Sequence, residues 1–178
     1  MQKSGLFTSK SKMAGLYGYN SDYYYMSLRQ SLILELKNMF GIVKCLMKEY
    51  PLLEREVTSI ELKSLLALKS SKTHLQFMRL EEVLKVLAVK RRSRKKNSIR
   101  VILQEYKSLG KMTNEHPVIR DKKFVLVCRK IDHYMIASYS EMIKHAHALE
   151  ITKVSQSLYS SLEEVMNADT ALRQVSLP

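Results

Sequence analysis

Apolar residues recur at steps of three and four along most of the chain, and this period predicts helices. An α-helix turns once every 3.6 residues, so these steps place the apolar side chains on one helix face. We therefore predict four long amphipathic helices, the first of which ends at Pro51. They cover residues 27–49, about 58–87, about 120–148 and about 151–175.

The order of these segments predicts how the chain folds. Only 5 Gly and 3 Pro occur in 178 residues, too few for the turns of a sheet-rich domain. A shorter helix over about residues 98–109, ended by Gly110, lies between the second and third long helices. A long connection at this point joins two helical hairpins into one all-α four-helix bundle. The predicted core positions include Val43, Leu75, Met135, Val165 and Met166.

Composition narrows the setting of this bundle. The chain has 30 Lys and Arg against 17 Asp and Glu, which gives a net charge of +13. Its two cysteines are too few for a disulfide framework or a four-cysteine zinc site, so we expect a reducing compartment, the cytoplasm. No apolar run reaches the roughly 20 residues that span a bilayer, and we expect no membrane contact.

The N-terminal segment differs from the rest of the chain. Residues 1–26 are rich in Gly, Ser, Lys and Tyr, and we predict a flexible tail in front of a bundle over residues 27–178. Aromatic side chains often anchor protein contacts. The tail therefore offers five tyrosines for contact with a partner or a second copy: Tyr17, Tyr19, Tyr23, Tyr24 and Tyr25.

A run of basic residues lies in the middle connection. Such a run repels itself and is expected to form a solvated loop. Its density of positive charge suits a polyanion such as nucleic acid, although an acidic protein partner or simple solubility explains it as well. The candidate contact residues are Lys90, Arg91, Arg92, Arg94, Lys95, Lys96 and Arg100.

Several short motifs resemble one known family. The stretch 131–139, IDHYMIASY, is similar to the pattern V-E-H-Y-E-I-A-x-Y, and 162–169, LEEVMNAD, is similar to L-x-E-E-x-x-A-D. With related motifs at 36–44 and 73–81, the chain resembles the YciF-like branch of the ferritin-like superfamily, bacterial stress-associated four-helix proteins. The resemblance covers about residues 28–175 and implies a ferritin-like bundle.

The same resemblance implies a metal centre that is lost or crippled. Members of the wider superfamily often hold two metal ions between four helices with Glu and His ligands. The positions of those ligands carry other residues here: Val43, Lys69, Ser71, Gln76, Met135 and Val165. A residual site for one divalent ion such as iron stays open as an alternative to a buried hydrogen-bond cluster. Its candidate ligands are Asp132, His133, Glu164, Asp169 and His74.

These observations favour a protein without enzymatic activity. No nucleophile motif, P-loop or dinucleotide-binding glycine pattern is present, and we assign no catalytic residue. We expect no cofactor. We expect an interaction or assembly module that associates with a protein partner or with itself. The alternatives are an iron- or oxidant-handling ferritin-like stress protein and a basic, Dps-like nucleic-acid-binding protein.

Overall fold

A computed structural model describes residues 21–90, 98–112 and 116–177. Every regular element in these ranges is a helix, which confirms the predicted all-α bundle with a short extra helix in its middle connection. None of these helices is long and apolar enough to cross a membrane. The helices are α1 (Ser21–Glu56), α2 (Ile60–Val86), α3 (Ser98–Met112), α4 (Pro117–Ala148) and α5 (Thr152–Gln174).

The four long helices form two hairpins. Helix α1 packs along α2, and α4 packs along α5. The hairpins meet where α2 lies beside α5 and α1 lies beside α4, so α2 and α4 stand at diagonal corners of the bundle. The short helix α3 packs on α4, where the ring of Tyr106 meets that of Phe124 edge to face at 4.8 Å.

The first helix is longer than the sequence predicts at both ends. It begins at Ser21, so residues 21–26 are helical rather than part of the tail, while residues 1–20 lie outside the described residues. It also continues through Pro51 to Glu56. A proline removes one backbone donor, but burial on both sides outweighs that loss, since Tyr50 is 1% exposed and Leu53 is 0% exposed.

An acid from α4 holds the link between α1 and α2. The carboxylate of Asp121 accepts hydrogen bonds from the backbone N–H of Thr58 at 3.1 Å and of Ser59 at 2.8 Å. It also accepts one from the hydroxyl of Thr58 at 2.7 Å. Ser59 in turn caps α2, because its Oγ accepts a hydrogen bond from the N–H of Leu62.

Helix α2 differs from a simple amphipathic helix. Its inner face carries the buried polar residues Lys69, Thr73 and Gln76 among leucines. Leu75, which we predicted in the core, is instead 40% exposed. Met166 of α5 is likewise 49% exposed, whereas the predicted core positions Val43, Met135 and Val165 are buried. Helix α2 has apolar residues on two faces, and a step of three or four residues fits either face. The sequence pattern therefore placed Leu75 on the wrong one.

Candidate functional site

A buried ion pair joins the two diagonal helices at the centre of the bundle. The Nζ atom of Lys69 on α2 lies 2.6 Å and 2.7 Å from the two carboxylate oxygens of Asp132 on α4. The two side chains are 7% and 1% exposed. Lys69 lies about one turn beyond Leu66 and two turns beyond Leu62, on the same buried face of α2.

Aromatic and apolar groups surround this pair. The Lys69 ammonium lies 5.3 Å from the ring centroid of Tyr50, within cation–π range. Burial raises the pKa of Asp132, and the Lys69 charge acts against that rise. Burial also raises the pKa of Tyr50 well above its usual value and that of the Cys128 thiol to about 12. The Tyr50 hydroxyl and the Cys128 thiol therefore remain neutral at physiological pH, and neither is an activated nucleophile.

A second carboxylate, Glu164 on α5, is held by cations of α2. Arg79 donates two hydrogen bonds of 2.8 Å to its two oxygens, and the Lys72 ammonium lies 3.7 Å away. Gln76 adds a longer bond of 3.4 Å from its Nε2. Burial acts to raise the pKa of Glu164, but the hydrogen bonds from Arg79 prevail and lower it. This carboxylate is therefore ionised and paired.

The third carboxylate, Asp169, lies on the opposite side of α5. Its oxygens accept hydrogen bonds from Arg129 Nε at 3.0 Å and Arg173 Nε at 2.8 Å. The Nε2 atom of His133 lies 3.3 Å from the same carboxylate, although 54% of the His133 side chain is exposed. Burial acts to raise the pKa of Asp169, whereas the hydrogen bonds from Arg129 and Arg173 lower it overall.

A cleft of about 170 Å³ lies between α2 and α5 above the central pair. Apolar side chains such as Leu65, Val165 and Ala168 line most of it, and Lys69 and Asp132 form part of its lining. Gln76 also lines the cleft, and its buried Oε1 has no hydrogen-bond partner among the described residues. The cleft offers room for a few waters or a small polar group, but its charged groups are already paired.

The structure distributes the predicted metal ligands among separate partners. Asp132 pairs with Lys69, Glu164 with Arg79, and Asp169 with two arginines and His133. His74 is exposed on α2. Within residues 21–90, 98–112 and 116–177, no three His, Cys, Asp or Glu side chains come together as a set that could hold a metal ion.

The other predicted contact residues lie on or outside the described surface. Tyr23 and Tyr24 are exposed on the first turns of α1, and Tyr25 is half-buried; Tyr17 and Tyr19 lie outside the described residues. Lys90 and Arg100 are exposed, while residues 91–96 lie outside the described ranges. Binding of a partner or of nucleic acid by these residues stays a prediction.

The cations that complete the site were not recognised from the sequence as partners. The family pattern singles out Lys69 only as a departure, and no motif singles out Arg129. The available signal was position: Lys69 follows Leu62 and Leu66 on the face of α2 that points into the bundle. A lysine at such a position requires a buried acid nearby.

Comparison with known proteins assigns the chain to a family. Residues 27–177 match the model of a family described as a domain of unknown function, DUF892. The match covers most of the chain, which therefore belongs to this family. None of the curated proteins matches the chain in sequence.

Three solved structures share the fold. YcfI from Rhodopseudomonas palustris is 23% identical with a TM-score of 0.80, over 84% of this chain and 95% of that one. The E. coli stress protein YciF is 22% identical with a TM-score of 0.74, over 82% and 92%. A protein from Xanthomonas campestris is 17% identical with a TM-score of 0.65, over 83% and 89%. These similarities show a shared fold, and together with the family match they confirm the resemblance to YciF-like proteins.

Proposed function

We propose that this protein is a non-enzymatic, ferritin-like bundle in which internal Lys and Arg side chains take the place of metal ions, and that it acts as an assembly module. The observation that carries the proposal is the contact of Lys69 Nζ with both oxygens of Asp132 at 2.6 Å and 2.7 Å. The amine group already lies where an ion would bind this carboxylate.

Charge and space both support the replacement of a metal ion by the Lys69 ammonium. A divalent ion bound to Asp132 would lie about 2.0–2.2 Å from a carboxylate oxygen. It would then lie close to the Lys69 ammonium, and the two positive charges would repel each other strongly in a medium of low polarity. Val43, Met135 and Val165 are buried and offer no oxygen or nitrogen side-chain donor to such an ion. Binding would require Lys69 to leave Asp132.

The relatives are consistent with a role that depends on the outer surface. YcfI is provisionally described as a structural protein, and YciF is described as a stress protein. We extend to this chain only the general idea of a structural role under stress. Because its interior charges are paired with one another, we expect the bundle to contact other molecules through its surface.

Metal binding tests the proposal directly. The chain is purified without chelator, analysed for iron, manganese and zinc, and then titrated anaerobically with Fe²⁺ and with Mn²⁺. We expect less than one tenth of an equivalent of tightly bound metal. Lys69→Ala should create weak binding of Mn²⁺, because it exposes Asp132 to the cleft. That gain should disappear in K69A/D132N.

The control is His147→Ala, which removes an exposed imidazole far from the pair. This change should lower weak surface binding of Zn²⁺ without altering the response to Mn²⁺. About one or two equivalents of iron or manganese held by the wild-type protein, and lost in Asp132→Asn, would overturn the proposal.

A further inference from the structure

One polar atom in the cleft between α2 and α5 lacks a hydrogen-bond partner. Gln76 is 3% exposed, and its Oε1 has no partner among the described residues. Its Nε2 donates to Glu164 at 3.4 Å, and the opposite orientation of the amide would place Oε1 against that carboxylate. A buried acceptor without a donor costs free energy. The unpaired Oε1 therefore predicts that a hydrogen-bond donor occupies the cleft beside it.

Small side chains on α5 leave the space for such a donor. Ala168 and Ala171 lie about one turn apart on α5, and both line the cleft. The volume of the cleft, about 170 Å³, is similar to that of an apolar cavity of about 150 Å³ that binds benzene. Leu68 and Lys72 also line the cleft, and their exposed fractions are 55% and 45%. A ligand of that size can therefore enter from solvent.

The charges around the cleft define which donor fits. Lys69 and Lys72 line it together with Asp132 and Glu164, so that two cations are paired with two carboxylates. An ammonium group on a ligand would be repelled by both lysines. A carboxylate on a ligand would be repelled by both acids and has no hydrogen to donate to Gln76. A neutral hydroxyl group donates one hydrogen bond and adds no charge, so it is the donor that fits this site.

The side chains around the cleft favour an aromatic body for the ligand. Val165 and Ala168 provide apolar walls. Met135, which is 2% exposed, adds a thioether, and sulfur makes favourable contacts with aromatic rings. The Lys69 ammonium lies within cation–π range of Tyr50 and also lines the cleft, where its charge attracts the face of a second ring. A flat aromatic ring therefore gains more from this lining than a saturated ring does.

We propose that the cleft binds a small phenol, whose hydroxyl group donates a hydrogen bond to Gln76 Oε1 and whose ring packs against Met135 and Val165. This inference goes beyond the proposed assembly function. It rests on the proposed function in one respect, because it requires that Lys69 rather than a metal ion pairs with Asp132. A ligand as small as phenol makes few contacts, so we expect a Kd of about 1 mM.

Nuclear magnetic resonance of the full chain tests this proposal through the methyl group of Met135. The methionine methyl groups are labelled with carbon-13, and Met135→Leu identifies the resonance of that residue. Phenol should shift this resonance in a saturable manner, because an aromatic ring close to a methyl group changes its chemical shift. Cyclohexanol keeps the hydroxyl group but lacks the aromatic ring, and it should bind several times more weakly than phenol.

Substitutions in the cleft separate the hydrogen bond from the space. Gln76→Leu removes the acceptor at similar size, so the ratio of the Kd for phenol to the Kd for toluene should rise about tenfold. Ala168→Leu fills the cleft and should abolish the binding of both compounds. Gln156→Leu is the matched control, because Gln156 is exposed on α5 outside the cleft, and it should leave both Kd values unchanged. Circular dichroism and the Tm show that each variant folds.

The absence of a saturable shift of Met135 in the wild type overturns the proposal, as does a Kd ratio that Gln76→Leu leaves unchanged. Binding of cyclohexanol as tight as that of phenol overturns the assignment of an aromatic body. If the protein is free of metal and binds no phenol, this inference fails while the pairing of Lys69 with Asp132 in place of a metal ion stands. Protein that holds iron and gains a visible absorption band with phenol overturns both, because that band reports phenolate bound to iron.

Discussion

The central ion pair of this bundle, Lys69 with Asp132, and the peripheral ion pairs of Glu164 and Asp169 hold their carboxylates in different ways. Asp132 lies deep between diagonal helices with one ammonium, and its pKa is raised because burial prevails. Glu164 and Asp169 lie closer to the surface with guanidinium partners, and the pKa of each is lowered although burial acts to raise it. The difference teaches that a partner lowers a carboxyl pKa only where its hydrogen bonds outweigh the loss of water.

Removing one member of the central pair should have the largest effect on stability. Asp132→Leu leaves the Lys69 ammonium buried without a counter-charge, and we expect a loss of about 3–5 kcal/mol in the free energy of unfolding. Urea denaturation followed by circular dichroism measures this loss. Glu141→Gln, at an exposed pair with Lys144, is the control and should change stability by less than about 0.5 kcal/mol. A similar loss in both variants would contradict the central role of the pair.

Removing both members should reverse that effect. K69M/D132L replaces two buried charges by apolar groups of similar size, and we expect stability equal to the wild type or higher by about 1–4 kcal/mol. The same denaturation experiment provides the comparison. A double variant as unstable as Asp132→Leu alone would show that the pair contributes more than its desolvation costs.

Breaking a peripheral pair should cost less. Glu164→Gln removes the negative charge and one of the two oxygens that accept from Arg79, but that guanidinium is 29% exposed and can turn to water. We expect a loss of about 1.5 kcal/mol in urea denaturation. A loss as large as that of Asp132→Leu would remove the distinction between the two kinds of pair.

The pH dependence of stability should separate the same two kinds of carboxyl group. Groups with a lowered folded pKa, Glu164 and Asp169, stabilise the fold above their unfolded pKa, near 4, and lose that contribution as pH falls through the folded pKa. Asp132 has the opposite sign, because its raised pKa favours the folded state at low pH. The free energy of unfolding, measured from pH 6 to pH 3, should therefore fall less steeply in Glu164→Gln than in the wild type. It should fall more steeply in K69M/D132L than in the wild type.

The smallest effect should come from the most exposed cation. Arg173 is 57% exposed and shares Asp169 with Arg129 one helix away. Arg173→Gln should lower stability by about 0.3–0.5 kcal/mol at low salt and by less in 1 M NaCl, where screening weakens exposed pairs. Thermal unfolding at the two salt concentrations measures the change. An effect that is unaltered by salt would contradict this assignment.

Helix periodicity and the scarcity of breakers predicted the fold well. They located every helix that the structure describes, because apolar spacing reflects which face is buried. They failed at Pro51, where burial of Tyr50 and Leu53 carries the helix onwards. They failed also at Leu75, because α2 is apolar on two faces and a period cannot say which one meets the core.

The site was predictable in its acids but not in its partners. Asp132, Glu164 and Asp169 were identified, since the resemblance placed them near the bundle centre. Their pairing depends on which helices stand side by side and on which turn of each comes level. The contact of Lys69 with Asp132 spans 63 residues of sequence, so no local pattern encodes it.

The carboxylate of Asp121, which completes the turn between α1 and α2, bears on the order in which the protein assembles. A ribosome making this chain has produced both helices of the first hairpin before it adds that acid, which follows Thr58 by 63 residues. The turn thus emerges with its backbone donors still open to solvent. Folding of the nascent first half is completed only when the start of α4 reaches it.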